Sequence, residues 1–195
     1  MFKMGFEFIL ITEEVKLEAE KLGREQRDAS LSVGGTSIFQ TEVQSNHFIG
    51  QLGQLAVKKW LENNGITEHN YHSYNKDGSS DKGDFNINKK KIDVKTQLRN
   101  VEPKMDYKVN IPIQHLNKVD FYLFCSFNQN TKINSILGFI DNDLLNQKKI
   151  VIQKGTKLDN GQIATNDMVN LFIYDLKPMS LFKETIYGKI QNKLL

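Results

Sequence analysis

The chain has 195 residues, with 26 Lys and Arg against 23 Asp and Glu, so its formal net charge at pH 7 is +3. This length suits one domain with a sizeable core, and the mild positive charge permits nucleic acid as a partner without requiring it. No apolar run approaches the ~20 residues that a membrane span needs.

The single cysteine, Cys125, excludes an internal disulfide and a thiolate zinc cluster. The opening segment MFKMGFEFILI is short and carries Glu7, so it is read as a first strand and not as a signal peptide. A cytoplasmic, intracellular protein with no membrane association is therefore expected. Cys125 itself lies in an apolar run and is predicted to be an inert buried thiol.

The first third of the chain is predicted to be a strand followed by two helices. Glu13 and Glu14 in the first turn and the apolar spacing of Val15, Ala19 and Leu22 favour the first helix. In order, the elements are a strand at 2–11, a helix at 13–27 capped by Thr12, a loop at 30–37, and a helix capped by Ser45 or Asn46 that ends at Gly65.

The second predicted helix contains two glycines, Gly50 and Gly53, which are costly in a helix interior. Close contact between the helix backbone and a sheet would explain them. Gln51 and Gln54 lie three residues apart on one side of this helix. From the helix alone, both glutamines are expected to be solvated.

The rest of the chain alternates apolar strand-like segments with short helices, which is typical of a mixed α/β fold around a central sheet. The run from 120 to 127 is apolar at nearly every position, as in a strand that is buried on both faces. The predicted elements are strands at 107–111, 120–127, 133–140 and 171–176, a helix at 141–147 that is capped by Asp141 or Asn142, and a helix at 181–190.

Between the second helix and these strands lies the segment 80–97, SDKGDFNINKKKIDVKTQ, which is predicted to be a hairpin. If Asn88 and Lys89 form a two-residue loop, Ile87 pairs with Lys90 and position 84 falls opposite position 93; a bulge would shift this register. The residues Asp93, Lys95 and Gln97 share one strand face. Two carboxylates and an ammonium would then converge on one spot that suits a hard divalent cation and a water molecule.

This pattern resembles the active-site core of the PD-(D/E)XK nuclease superfamily, whose members have the restriction-endonuclease-like fold. Asp84 matches the first acid of the motif, and Asp93-Val94-Lys95 matches its D-x-K part. Gly83 replaces the motif proline. The helix pattern G-x-x-G-E reads Gly50 to Gln54 here, so a glutamine stands where the family has a glutamate.

The resemblance implies a restriction-endonuclease-like central mixed β-sheet flanked by helices, with residues 1–195 as one domain. Its core would span about 46–141, with 1–45 and 142–195 as extensions. The implied function is a Mg²⁺-dependent nuclease in which Mn²⁺ substitutes for Mg²⁺. Asp84, Asp93 and the Val94 carbonyl would hold the metal, Lys95 would orient the attacking water and contact the phosphate, and Gln54 and Gln97 would assist.

The expected substrate is double-stranded DNA, and a homodimer could cut both strands. Lys82, Lys89, Lys90 and Lys91 at the hairpin tip are candidates for phosphate contacts, although a solvated turn would have the same composition. Asp77 and Asp81 are alternative acids if the register differs.

Two other classes of function remain open at this point. A non-catalytic nucleic-acid-binding or inhibitor protein could retain the nuclease fold, and the missing helix glutamate favours it. An unrelated α/β interaction domain would carry the acids and the lysine on separate surfaces.

The remaining chemistry-bearing residues give weaker signals. His47, His69, His72 and His115 lack a metal-ligand spacing, and His69 and His72 are predicted to lie in a loop. The aromatic residues Trp60, Phe121 and Tyr122 are predicted to belong to the core.

Overall fold

A computed structural model describes residues 5–32, 43–71, 83–158 and 163–188, and within these ranges the side chains of 29–32 and 43–45 are not described. The chain is a mixed α/β protein. Its helices are α1 (Glu13–Ser32), α2 (Val43–Asn63), α3 (Asn142–Lys148) and α4 (Phe182–Tyr187). Its strands are β1 (Glu7–Leu10), β2 (His69–Tyr71), β3 (Phe85–Ile87), β4 (Lys90–Arg99), β5 (Lys108–Pro112), β6 (Phe121–Asn128), β7 (Ile133–Asp141), β8 (Ile150–Ile152) and β9 (Met168–Phe172).

The larger sheet has six strands in the order β1-β7-β6-β4-β3-β2. Strands β4 and β6 run parallel, and every other neighbouring pair is antiparallel, so the sheet is mixed. A smaller antiparallel sheet has the order β5-β9-β8. Strand β4 therefore lies in the interior of the larger sheet, beside the hairpin partner β3.

The described residues form three apolar clusters, and two of these lie on opposite faces of the larger sheet. On one face, Ile92 and Val94 of β4 pack with Trp60 of α2 and Phe182 of α4. On the other face, Tyr122 and Phe124 of β6 pack with residues of the smaller sheet, among them Val109, Ile111 and Leu171. The order of layers is thus helices, larger sheet and smaller sheet.

The predictions of buried side chains are confirmed. Trp60, Phe121 and Tyr122 are core residues. Cys125 is fully buried, and this burial raises the pKa of its thiol well above the usual range. A thiol that keeps its proton is a poor nucleophile, which agrees with an inert role.

Two helices, α1 and α2, are longer than predicted. Helix α1 starts at Glu13 behind Thr12, as expected, but it continues to Ser32, into the predicted loop. Helix α2 begins at Val43, so the predicted cap at Ser45 or Asn46 is wrong. Its predicted end is confirmed: Gly65 has a φ of +68°, and the N–H of Ile66 donates to Leu61 O at 2.9 Å. This is the Schellman arrangement that glycine favours.

The two helix glycines have different explanations. A Cβ at Gly53 would lie 1.8 Å from Thr96 Oγ1 on β4, so the backbone of α2 touches the sheet here, as predicted. A Cβ at Gly50 would have no heavy atom within 4 Å. The prediction of a close backbone contact is therefore wrong for Gly50.

The prediction of one sheet is incomplete because β5, β8 and β9 form a second sheet. The strand predicted over 107–111 is β5, but the strand predicted over 171–176 occupies 168–172 instead. Residues Ile173–Asp175 form a 3-10 turn, in which the N–H of Ile173 donates to Tyr107 O at 2.9 Å. The turn buries the apolar side chain of Ile173, so this burial does not require a longer strand.

The remaining predicted elements occur close to their expected positions. The strands β6 and β7 match the predicted runs, and α3 is capped by Asp141, whose carboxylate accepts from Leu144 N–H at 2.8 Å. Helix α4 starts at Phe182, and the predicted continuation to 190 passes beyond the described residues. Within the described ranges, no helix is long and apolar enough to cross a membrane.

Candidate active site

The hairpin of β3 and β4 has the predicted register. Asn88 and Lys89 form its two-residue turn with φ values of 47° and 63°, which are characteristic of a type I′ turn. Ile87 pairs with Lys90, and the N–H of Asp84 donates to Ile92 O at 2.8 Å. Asp84 lies just beyond the last paired residues of the hairpin, Phe85 and Ile92, so its predicted place opposite position 93 stays a prediction.

The carboxylate of Asp84 is held between the sheet and helix α2. Its Oδ2 accepts the backbone N–H of Val94 at 2.6 Å, and its Oδ1 accepts Nε2 of Gln54 at 2.8 Å. Strand β3 starts only at Phe85, and in a longer strand a backbone carbonyl would accept the N–H of Val94. Here the carboxylate of Asp84 accepts this N–H instead.

Glycine at position 83 is required by the backbone. Gly83 has a φ of +69°, and a Cβ there would lie 2.9 Å from Ile92 O. Proline has φ near −65° and does not fit this conformation. Glycine at position 83 therefore has a local cause, which is the tight approach of this residue to β4.

Asp93 and Lys95 lie side by side on the same face of β4. The Lys95 Nζ is 2.6 Å from Asp93 Oδ2, and the two side chains are 20% and 17% exposed, respectively. Burial raises the pKa of Asp84 well above its usual range, and the negative charge of Asp93 raises it further. The bond from Val94 and the charge of Lys95 oppose this rise. Two carboxylates and one ammonium therefore share a partly desolvated spot.

The glutamines of α2 are buried, so the expectation that they are solvated is wrong. Gln51 is 0% exposed and Gln54 is 6% exposed. The hydroxyl of Tyr71 lies 3.0 Å from Gln51 Oε1 and 3.3 Å from Gln54 Oε1, and it can donate to either oxygen. Gln51 in turn donates to Gln26 of α1 at 3.1 Å. Because α2 packs closely on β4 at Gly53, the next residue of the helix, Gln54, lies within hydrogen-bonding distance of Asp84.

His115 is a member of the site that the sequence pattern does not indicate. Its Nδ1 is 3.4 Å from Lys95 Nζ, and its backbone carbonyl accepts the hydroxyl of Tyr122 at 2.6 Å. Burial and the neighbouring charge of Lys95 lower the pKa of His115, which favours the neutral imidazole. Twenty residues separate His115 from Lys95, and no motif links them. Their contact depends on the 3-10 turn Ile113–His115 after β5.

The other histidine assignments are partly revised. His69 lies in β2, paired with Ile87, so the prediction of a loop is wrong for this residue. The reason is that β2 adds an edge strand to the hairpin, with the His69 ring 5.8 Å from that of Phe85. His72, the alternative acids Asp77 and Asp81, and the candidate phosphate contact Lys82 lie outside the described residues.

The other predicted site residues, which are three lysines and Gln97, lie on either side of the two carboxylates along the hairpin. Lys89, Lys90 and Lys91 are exposed at the tip, where Lys90 Nζ lies 3.5 Å from Asp120 Oδ1. Gln97 lies two residues beyond Lys95 on the same face, where its Oε1 accepts from Arg99. Gln97 also lines a cleft between β4 and the smaller sheet.

The donor set at this site fits a hard cation with few protein ligands. In the described ranges, no group of three or more His, Cys, Asp or Glu side chains is arranged to hold a metal ion. Asp84 and Asp93 nevertheless provide two mutually repelling carboxylates. The Val94 carbonyl points to the same strand edge as its N–H, which faces Asp84. Mg²⁺ is commonly held by one or two carboxylates, with water and substrate phosphate as its other ligands.

Comparisons of the chain with models of known protein families, with curated proteins and with solved structures gave no match.

Proposed function

We propose that the chain is a metal-dependent nuclease that hydrolyses phosphodiester bonds in DNA and has a restriction-endonuclease-like fold. The observation that carries this proposal is the convergence of Asp84, Asp93 and Lys95. Asp93 and Lys95 alone would be an ordinary ion pair on a strand face. Asp84 comes from the other arm of the hairpin, and it is fixed by a backbone amide at 2.6 Å and by a helix side chain at 2.8 Å.

The order of elements around the site supports the fold assignment. Helix α2 packs on β4 through Gly53 and delivers Gln54 to the first acid. Strand β6 then pairs parallel to β4, and β7 pairs antiparallel to β6. A helix, an acid-bearing hairpin and two buried strands are the features on which the resemblance to PD-(D/E)XK nucleases rests.

In this proposal, Asp84, Asp93 and the Val94 carbonyl would hold Mg²⁺. The ion supplies positive charge that lowers the pKa of water and neutralises phosphate oxygens. Asp84 fits a cation site because burial and the neighbouring Asp93 charge raise its pKa, and positive charge relieves both effects.

Lys95 provides the positive charge nearest to the carboxylates. Its ammonium donates to Asp93 and lies 3.4 Å from His115 Nδ1, so it is held from two sides. In the proposed reaction it orients the attacking water and contacts a phosphate oxygen. His115 serves as a positioning residue because it touches Lys95 and not the carboxylates.

A non-catalytic nucleic-acid-binding protein is the second candidate, and one observation favours it. The amide of Gln54 donates to Asp84 Oδ1, where the family glutamate would add a third carboxylate. A neutral donor there lowers the negative charge available to a cation. The two candidates differ in whether DNA is cut or only bound.

The decisive experiment is cleavage of supercoiled and linear DNA in Mg²⁺, Mn²⁺ or EDTA by the wild type and the variants Asp93→Asn and Lys95→Ala. We expect cleavage in Mg²⁺ and Mn²⁺ and none in EDTA. Loss of a general acid–base group typically costs about 10²–10⁴-fold in rate, and we expect a loss of this size for Lys95→Ala. Asp93→Asn, which removes a metal ligand, should lose cleavage entirely.

Two variants of exposed residues serve as matched controls. Asp143→Asn in α3 and Lys183→Ala in α4 make comparable changes at exposed positions of short helices and should cut like the wild type. Thermal unfolding of every variant checks that the fold is retained. Metal-independent cutting, or full activity in Asp93→Asn, would refute the nuclease site; binding without any cutting would select the non-catalytic candidate.

A further inference from the structure

A cleft of about 800 Å³ opens between the end of β4 and the smaller sheet. Strand β4 contributes Gln97 and Arg99 to its lining, β5 contributes Lys108 and Asn110, and β9 contributes Asn170. The second apolar core occupies the opposite face of the smaller sheet, where Val109, Ile111 and Leu171 are buried. The cleft is therefore lined by the polar face of this sheet.

The cleft continues directly from the candidate active site. Asp93, Lys95, Gln97 and Arg99 alternate along one face of β4, and the last two of these line the cleft. Successive residues on one face of a strand are about 6.6 Å apart, so the cleft begins within about 7 Å of Lys95 along the strand. A polymer held at Asp93 and Lys95 would reach the cleft along this face of β4.

Arg99 shapes the cleft as well as adding charge to it. Its Nη2 donates to Lys108 O at 3.0 Å, which joins the end of β4 to the start of β5. Its guanidinium lies 5.0 Å from the centre of the Tyr107 ring. Burial lowers the pKa of Arg99, but a guanidinium stays charged in proteins. The wall next to the active site is thus braced and positively charged.

The lining has the chemical groups that bind both parts of a nucleotide chain. Arg99, Lys108 and Lys157 provide three positive charges against the one carboxylate of Asp106. Cations of this kind bind phosphates. The side-chain amides of Gln97, Asn110 and Asn170 can donate to and accept from base edges.

The apolar residues of the lining favour unpaired bases over a duplex. Leu98 and Val101 line the cleft and are 46% and 55% exposed. A duplex presents its phosphates and keeps its bases stacked inside, whereas a single strand offers base faces to apolar and aromatic side chains. A volume of about 800 Å³ also lies in the range of pockets for small ligands, about 300–1,000 Å³, and accommodates a few nucleotides.

We infer that this cleft binds a single-stranded segment of nucleic acid that leads away from the scissile phosphate; the identity of the ligand rests on the proposed nuclease function. The substrate would then carry an unpaired strand next to the cut, as at a flap, an overhang or a locally opened duplex. Lys108 and Lys157 bind its phosphates, while Gln97, Asn110 and Asn170 contact its bases.

The test measures binding in EDTA, so that it does not depend on cleavage. Fluorescence anisotropy is recorded with a labelled single-stranded 12-mer and with the blunt duplex of the same sequence. The cleft variant is the double substitution Lys108→Glu/Lys157→Glu. Its control is Lys59→Glu/Lys183→Glu, which makes the same charge change at two exposed helix positions.

We expect the wild type and the control to bind the single strand more tightly than the duplex. Removing two phosphate contacts should weaken single-strand binding of the cleft variant about tenfold or more and flatten its dependence on salt. The single variant Gln97→Ala should weaken binding without changing the salt dependence, because it removes no charge. Equal affinities of the cleft and control variants, or tighter binding of the duplex by the same residues, would overturn the inference.

The same proteins separate this inference from the nuclease proposal. Cleft-dependent binding of the single strand without metal-dependent cutting of any DNA would refute the nuclease and leave the cleft assignment standing. Metal-dependent cutting of a duplex with a single-stranded overhang, unchanged in the cleft variant, would refute the cleft and leave the nuclease standing.

Discussion

The contact between Gly53 and Thr96 allows a quantitative test of how α2 is seated on the sheet. In Gly53→Ala, the new Cβ would lie 1.8 Å from Thr96 Oγ1 and 2.9 Å from Thr96 Cβ, so either the helix or β4 must move. Gly50→Ala is the matched control in the same helix, because a Cβ there meets no heavy atom within 4 Å.

Gly50→Ala should raise the stability, whereas Gly53→Ala should leave it unchanged or lower it. Ala is about 0.8–1.0 kcal/mol more favourable than Gly in a helix interior, so Gly50→Ala should raise the free energy of unfolding by up to about 1 kcal/mol. Overpacking typically costs about 1–3 kcal/mol, which equals or exceeds this gain in Gly53→Ala. At about 2–4 °C per kcal/mol for a domain of this size, the melting temperatures of the two variants should differ by at least a few degrees.

A second substitution locates the clash. Thr96→Ala removes the hydroxyl and the methyl group of Thr96 but keeps its Cβ at 2.9 Å, so the double variant Gly53→Ala/Thr96→Ala should regain part of the lost stability and not all of it. Thr96 Oγ1 is buried without a hydrogen-bond partner, so its removal costs no hydrogen bond. Thermal or urea unfolding gives these values. Equal stability of Gly53→Ala and Gly50→Ala would refute the close approach of α2 to β4 and, with it, the delivery of Gln54 to Asp84.

Two further substitutions test the polar network around the first acid. Asp84→Asn should unfold at a higher temperature than the wild type at pH 8, because the wild type loses stability as the pH rises through the raised pKa of Asp84 in the folded state. The difference between the two melting temperatures should shrink toward pH 4. A difference that is constant with pH would contradict the raised pKa. Tyr71→Phe removes the hydroxyl beside the two buried glutamines of α2 and should destabilise the fold by about 1–3 kcal/mol, as expected for buried polar groups that lose their partner. Its control, Tyr174→Phe at an exposed position, should stay within about 0.5 kcal/mol of the wild type, and equal effects of the two would show that the network contributes nothing.

The hairpin and its register were predictable because their determinants are close in sequence. The turn at Asn88 and Lys89 fixes the pairing of Ile87 with Lys90, and the alternation of side chains then sets which residues share a face with Asp93. The end of α2 at Gly65 and the cap of α3 at Asp141 were predictable for the same reason.

Residues whose environment depends on distant partners were predicted poorly. Gln51 and Gln54 are polar residues on a helix, and no local pattern shows that Tyr71 and Asp84 cover them. The need for glycine at position 83 is likewise set by the approach of Ile92 O, and not by a turn signal in the sequence. In each case the deciding contact comes from another element of the fold.

The amino-acid sequence was sufficient to place two acids and a lysine on one hairpin, because strand periodicity and turn chemistry act over a few residues. Only the tertiary structure added His115 to Lys95 and opened a cleft beyond Gln97. Both depend on the smaller sheet, whose strands β5 and β9 are about 60 residues apart in the chain and pair only when the two sheets bury their shared apolar core.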